Sequence, residues 1–363
     1  MKKPFTPQLL PLDEITWSSL VSLISEANSA LARYDGHLEG IPNPRVLLSP
    51  LLTQEAVLSS KIEGTQATLE EVLEFEADPR PTERYEDIEE ILNYRKALSF
   101  AEEELKNRPL CLNLIRNMHG VLLDGVRGQN RGRGEFRRIQ NWIGKPNTPI
   151  EEATYIPPSP DKLLDYLSNW EKYCHYDEKD RLVQMAIIHA QFELIHPFLD
   201  GNGRIGRILI PIFLYEKKVL SSPMFYISAY FESTRGEYYE RLLSISSESD
   251  WTGWIEYFLN AIAEQARRNS QKAKVIMTLY NSMKETITDL THSRFAIQTL
   301  DFLFNRPIFS SSLFTTASQI PRASSARILR SLENGEVIKS IREAKGRMPA
   351  LYIFPQLLNI VQT

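Results

Sequence analysis

Residues 181–195 read Arg-Leu-Val-Gln-Met-Ala-Ile-Ile-His-Ala-Gln-Phe-Glu-Leu-Ile, and this run constrains the fold more than any other. A helix at the edge of a globular protein carries one apolar stripe. Here Leu182, Val183, Met185, Ile187, Ile188, Phe192 and Leu194 leave apolar side chains nearly all round. Such a helix needs other elements on every side, so the run predicts a helix in the middle of a bundle. It is followed by His196-Pro197, and a proline there stops it.

The rest of the chain supplies elements to surround it. Apolar spacing predicts helices over 15–33, with Asp13 placed to cap, and over 51–63, with Gly64 as terminator. Between them a proline-rich stretch, 40–50, breaks the pattern. Thr68 opens a further helix as a capping box with Glu71. Helical spacing continues over 87–105, 111–123, 163–173, 205–216, 237–245 and 251–287. The clear interruption is Gly125–Pro158, rich in glycine, proline and basic residues. Within it Phe136–Ile143 is the best strand candidate, one arm of a hairpin. The last seventy or so residues read differently. Helices over 295–304, 313–320 and 321–333 precede two short strands, 337–340 and 351–354, around the basic turn Lys345-Gly346-Arg347. That is a winged-helix pattern. The expected fold class is therefore mainly α, a helical bundle with a β-hairpin and a small C-terminal winged helix. The expected segments are 1–105, 106–265, a helical linker 266–290, and 291–363.

Bulk properties narrow the setting. The 363 residues allow two or three domains. Net charge is −4, but residues 291–363 hold nine Lys/Arg against four Asp/Glu. Cys111 and Cys174 are the only cysteines, which fits two packed thiols in a reduced, cytoplasmic setting. The sequence shows no signal peptide and no apolar run long enough to span a bilayer. No Cys/His cluster suggests zinc. His119 and His189 lie in apolar helices and read as core residues.

Residues 196–207, HPFLDGNGRIGR, carry the chemistry. A histidine suits general-base work near neutral pH. Asp200-Gly201-Asn202-Gly203 can turn tightly and aim backbone N–H groups outward at a helix N-terminus, an anion-binding arrangement. Arg204 and Arg207, three apart, share one helix face and can reach the same polyphosphate. Asp200 is a hard oxygen ligand of the kind Mg²⁺ takes.

This run resembles the signature of the Fic family, HPFx[DE]GNGRxxR, at every fixed position. The surrounding IRNMHGVLLDG, EFRRIQNWIG, YIPP and EYYERL agree with it. The resemblance implies an all-helical bundle with a hairpin flap and transfer of AMP from Mg·ATP to a Tyr, Thr or Ser hydroxyl of a protein. Carried over by position, His196 would deprotonate that hydroxyl and Asp200 would hold Mg²⁺. Gly201, Asn202 and Gly203 would cradle phosphate, with Ile205 and Gly206 continuing the nucleotide-binding run. Arg204 and Arg207 would bind the β- and γ-phosphates. Asn141, Trp142, Ile143 and Gly144 would form the flap that holds the target segment by strand addition and borders the nucleotide. Tyr238 resembles a residue near the adenine. Partners implied are a protein substrate, the chain itself as substrate, and a second copy in a homodimer.

A second motif, Ser59-Ser60-Lys61-Ile62-Glu63-Gly64, is similar to the family's inhibitory pattern [ST]xxxE[GN] through Ser59, Glu63 and Gly64. It implies that Glu63 pairs with Arg207 and takes it from the γ-phosphate. Two alternatives stay open. One is a transferase of another phosphoryl group on the same fold. The other is a nucleotide-sensing regulator that binds DNA through the winged helix, with Arg322, Arg327, Arg330, Lys345 and Arg347 as contacts.

Overall fold

A computed structural model describes residues 3–126, 132–144, 148–346 and 348–363. Arg347, and the parts of the Gly125–Pro158 interruption at 127–131 and 145–147, lie outside the described residues. The chain divides into two compact units.

The first unit comprises residues 1–35, 58–64 and 93–267. The helices that run wholly or partly through it are α1 (Trp17–Glu39), α3 (Ser49–Ile62, following the short α2, Pro44–Leu47), α5 (Tyr85–Leu105, following α4, Leu69–Ala77) and α6 (Leu112–Leu122). They continue with α7 (Leu163–Cys174), α8 (Arg181–Ile195), α9 (Asn202–Glu216), α10 (Ser228–Ser233), α11 (Arg235–Glu248) and α12 (Trp251–Thr291). As its sequence requires, α8 is central: of its residues only Arg181 and Glu193 are not buried. It packs on α7, α9 and α11. Asp180 caps it, its Oδ1 accepting from the Leu182 and Val183 N–H groups at 2.9 Å. Two tryptophans lock it in place through carbonyls. Trp170 Nε1 donates to Ile188 O at 2.9 Å and Trp254 Nε1 to Ala186 O at 2.8 Å. A buried indole needs such a partner, which fixes the depth at which α7 and α12 meet α8.

The hairpin is reduced relative to expectation. Phe136–Ile143 forms no strand; one antiparallel bridge joins Ile143 to Tyr155. The reason is a side chain. Arg137 is buried and donates to His196 O (2.9 Å) and Pro158 O (2.5 Å). The segment is thus anchored by a guanidinium and not by a ladder.

The second unit comprises residues 36–57, 65–92 and 268–363. The capping box at α4 forms as read: Thr68 Oγ1 accepts from Glu71 N at 3.2 Å and Glu71 Oε2 from Thr68 N at 2.8 Å. Towards the C-terminus come α13 (Ala296–Asn305), β1 (Ile308–Ser310), α14 (Ser311–Ala317), α15 (Arg322–Asn334), β2 (Lys339–Arg342), β3 (Leu351–Ile353) and α16 (Pro355–Gln362). The strands make an antiparallel sheet in the order β1-β3-β2, with Phe309 opposite Tyr352 and Ser340 opposite Tyr352 on the other edge. The sequence shows β2 and β3 but not β1, which is three residues long and buried throughout, so it has no alternation to detect. The sequence reading also missed α16, although Leu357, Leu358 and Val361 have helical spacing behind Pro355 in the first turn. Residues 266–290, read as a linker, lie inside the single 41-residue helix α12.

Candidate active site

The site grows from the joint between α8 and α9. His196 ends α8 in the left-handed conformation, φ 50°. Its carbonyl is held by Arg137, and its Nδ1 lies 3.3 Å from Glu193 O. A carbonyl only accepts, so the ring proton belongs on Nδ1 and the lone pair on Nε2. Burial pushes the His196 pKa down to about 4, so the ring is neutral at pH 7.

The turn that follows is tied by side chains. Asn202 Oδ1 accepts from Phe198 N and its Nδ2 donates to Phe198 O, both at 2.8 Å. Asn141 Nδ2 donates to the same carbonyl at 3.0 Å, which joins the flap segment to the turn. His119 stacks on Phe198 with centroids 3.8 Å apart. Its Nε2 lies 3.0 Å from Asp200 O and its Nδ1 accepts from Gly134 N at 2.9 Å. Burial lowers its pKa to about 4. His119 is therefore a neutral strut beneath the turn. Gly201, at φ 77°, needs its freedom there, and a side chain would also press on Leu122. Gly201 gives α9 no side-chain cap; the carboxylates at this helix end are Asp200, whose Oδ1 accepts from Gly201 N, and Glu63, which lies against Gly203.

Two buried arginines rise from the first two turns of α9. Arg204 Nη2 lies 3.6 Å from Asp200 Oδ1, and that oxygen also accepts from Gly201 N at 2.7 Å. Arg207 is 1% exposed and is held from α3. Its Nε donates to Ser59 Oγ at 2.8 Å, and its Nη2 to Ser59 O at 2.9 Å and Glu63 Oε1 at 2.7 Å. Burial opposes charge on Glu63, but Arg207, by charge and hydrogen bond, then Arg204 and His196, outweigh it and hold the carboxyl below its usual range. Gly203 makes the pair possible. A methyl group built there would overlap Glu63 Oε1 and come within 3.0 Å of Arg207 Nη1.

The structure sorts the remaining sequence candidates. Ile205 is buried. Gly206 faces α8: a methyl group there would overlap Glu193 Oε1. Tyr238 is 1% exposed, and its hydroxyl meets His189 Nε2 at 2.9 Å inside an aromatic cluster with Phe231 and Trp254. His189 Nδ1 lies 2.9 Å from Gly206 O, so its ring too is committed to the core. The neighbouring Tyr239 is the exposed ring of the pair, at 43%. Trp142 and Ile143 are exposed on the flap segment, and Trp142 Nε1 donates to Thr148 O at 3.0 Å. Gly144 sits tightly against Thr148 and Ala153. Gly64, φ 102°, ends the segment that carries Glu63.

Sequence reasoning missed Arg137 and Glu193. A basic residue in a basic loop and an acid inside an apolar helix gave no signal beyond the oddity of the latter. Among the described residues no three His, Cys, Asp or Glu side chains converge as a metal cage. One carboxylate at the α9 N-terminus does fit Mg²⁺, which keeps several waters and takes phosphate oxygens. Taken together, the joint brings a neutral imidazole, a hard carboxylate and two guanidinium groups to the N-terminal end of α9.

The pattern of the Fic/DOC family N-terminal region matches residues 21–103 and that of the Fic/DOC family itself residues 109–214, together just over half the chain. A probable protein adenylyltransferase of Aquifex aeolicus is 27% identical over 256 residues, covering 66% of this chain and 73% of that protein. The protein adenylyltransferase Fic of Drosophila mojavensis is 30% identical over 217 residues, and there the match covers 55% of this chain but only 37% of the relative. Among solved structures, a Fic family protein from Desulfovibrio desulfuricans G20 superposes with a TM-score of 0.59 at 20% identity, covering 98% of each chain. Fic-1 of C. elegans gives 0.55 at 19%, covering 71% of this chain and 74% of that one.

Proposed function

The chain belongs to the Fic/DOC family, and on that premise we propose that it is a protein adenylyltransferase, moving AMP from ATP to a hydroxyl of a protein. The observation that carries the reading is the α8–α9 joint, which brings His196, Asp200, Arg204 and Arg207 together at the start of α9. In the proposed step the target hydroxyl gives its proton to His196 Nε2 while its oxygen attacks the α-phosphorus in line. The P–O bond to the β-phosphate breaks and pyrophosphate leaves with that electron pair. Little covalent work falls to the protein, so positioning and charge neutralisation dominate. Arg204 and Arg207 would grip the β- and γ-phosphates, and the α9 N–H groups would face the rest. Asp200 would hold Mg²⁺, which neutralises phosphate charge when bound. The Ile143–Tyr155 bridge supports a flap whose free edge receives the target segment. Self-modification is the simplest form of the reaction.

In this reading the resting site is braked. Arg207 cannot serve the γ-phosphate while Ser59 and Glu63 hold it, and the Glu63 carboxylate repels that phosphate. The test is label transfer from ATP with wild type, Glu63→Gly and His196→Ala. Label from the α position should reach protein, at least about tenfold faster for Glu63→Gly, and His196→Ala should lose it. Transfer from the γ position alone would replace the reading with that of a phosphotransferase, and equal rates for wild type and Glu63→Gly would remove the brake.

A second reading concerns α15. Its buried face is Ser325, Ile328, Leu329 and Leu332, while Arg322, Arg327 and Arg330 are exposed. The order helix, strand, two helices, two strands supports a winged helix whose α15 would enter a DNA groove. Mixed-sequence duplex DNA should bind at low salt and weaken steeply as salt rises. Absence of binding at low salt would end this reading.

A further inference from the structure

Glu193 is the one residue of α8 beyond its first that is not fully buried, and it is the chain's oddest acid. Its Oε1 is buried and has no hydrogen-bond partner among the described residues. The carboxyl lies against Gly206, one residue before Arg207, and Gly206 has no Cβ to exclude it. Burial raises its pKa to about 8; Arg207 pulls it down and Glu63 pushes it up. Glu193 is thus a neutral acid in the resting site, the second carboxyl in the electrostatic reach of one guanidinium.

Arg207 explains why that matters. The three hydrogen bonds that place its guanidinium all go to Ser59 and Glu63. A transfer-competent site requires Glu63 to let go. A guanidinium at 1% exposure that lost the Glu63 carboxylate would keep the neutral Ser59 acceptors but be left as a buried charge without a counter-ion, a strongly unfavourable state. The groups around it are mostly committed: Tyr238 to His189, and His189 to Tyr238 and Gly206. Glu193 is not.

We propose that Glu193 is the positioning residue that becomes the counter-ion of Arg207 when Glu63 releases it, and that it then aims the guanidinium at the γ-phosphate. This rests on the nucleotide reading above. The exchange balances in protons and charge. Withdrawal of the Glu63 carboxylate removes a like charge from Glu193, which gives its proton to solvent and takes the guanidinium as a charge-assisted pair. One edge of Arg207 stays with Glu193 and the other is available to phosphate. Gly206 is then a glycine for the sake of Glu193, so that the acceptor can lie flat against α9.

The test measures nucleotide binding, not transfer. In a His196→Ala background, which blocks turnover, titration calorimetry compares ATP with ADP in Mg²⁺ for Glu63→Gly, Glu63→Gly/Glu193→Gln and Glu63→Gly/Gly206→Ala. The ATP-to-ADP affinity ratio isolates the γ-phosphate. With Glu63→Gly alone it should be about tenfold or more at pH 8 and shrink towards pH 6 as Glu193 is protonated. Glu193→Gln should bring it to about threefold or less and flatten the pH response, with ADP affinity unchanged. Gly206→Ala, which displaces the carboxyl but keeps it, should reproduce both effects, so a folding defect in one variant does not shield the idea. The groups facing Glu193 are Arg207 from α9, Glu63 just past the end of α3, Tyr238 and Tyr239 from α11, and His189 and His196 of its own helix and cap. The histidines titrate well below this window, and burial holds both tyrosine hydroxyls above their usual range. An unchanged ratio and pH response in both variants overturns the inference alone. No binding of either nucleotide by any variant overturns the nucleotide reading and this inference with it.

Discussion

His196 holds a left-handed backbone that costs a non-glycine residue of order 1–3 kcal/mol, and its surroundings enforce it. Pro197 forbids continuation of α8, and Arg137 clamps the His196 carbonyl from the side. The same guanidinium also holds Pro158 O, so one residue fixes both the base and the base of the flap. Arg137→Ala should therefore lower label transfer by Glu63→Gly enzyme more than about tenfold, through misplacement of His196, without removing any group that meets nucleotide. Arg137→Lys should fail to restore it, since an ammonium lacks the planar fork. Full activity for Arg137→Lys in the same assay would show that charge alone was at work. The motif itself shows a base, a carboxylate and two guanidinium groups because they lie within twelve contiguous residues. Arg137 stayed hidden because its partner, His196, is 59 positions away.

At the scale of elements, α3 meets α9 through one tight set of contacts, Ser59 and Glu63 on Arg207. These contacts are unequal. Ser59 gives both a hydroxyl and a backbone carbonyl, and only the hydroxyl is lost on mutation. Ser59→Ala should raise self-modification by a few fold, clearly less than Glu63→Gly, in parallel label-transfer assays. A larger effect from Ser59→Ala would mean that the serine, not the acid, holds the arginine. The helix N-cap chemistry of α4 and the all-round apolar α8 were legible because both are local patterns. The hairpin was over-read: Phe136–Ile143 has strand-like residues, but a buried Arg137 gives its backbone another way to be held. The setting of Tyr238 was hidden for a related reason. A Tyr-Tyr pair on α11 does not say which ring points inward; packing against His189 and Trp254 does, and it buries Tyr238.

For the whole molecule, buried titrating groups shape the pH dependence of stability. His119 and His196 are lowered to about 4 and His189 to about 3, so the unfolded chain binds more protons than the native one as pH drops below about 6.5. Stability should then fall, by an order of 1–2 kcal/mol per histidine at pH 5, and Glu63, held low by Arg207, adds to the loss in more acid solution. Glu193 works the other way. Raised to about 8, it keeps its proton when the unfolded carboxyl has lost it, so it favours unfolding as pH rises from about 4.5 to 8. Three histidines outweigh one acid below pH 6.5, and Glu193 alone acts above it. Thermal melts should peak near pH 6.5, and Glu193→Gln should abolish the decline between pH 6.5 and 8. A decline of the same slope in Glu193→Gln would assign it to other groups. No helix among the described residues is long and apolar enough to cross a membrane. What the sequence determined by itself was the set of chemical groups gathered in residues 196–207 and the bundle around α8. Those depend on groups close in the chain and on a helical period that places Arg204 and Arg207 on one face. Only the tertiary structure decided that Arg207 is held by Ser59 and Glu63, that Gly206 makes room for Glu193, and that Tyr238 is core. Each of those depends on which side chains meet across helices far apart in sequence, and burial then sets their charge.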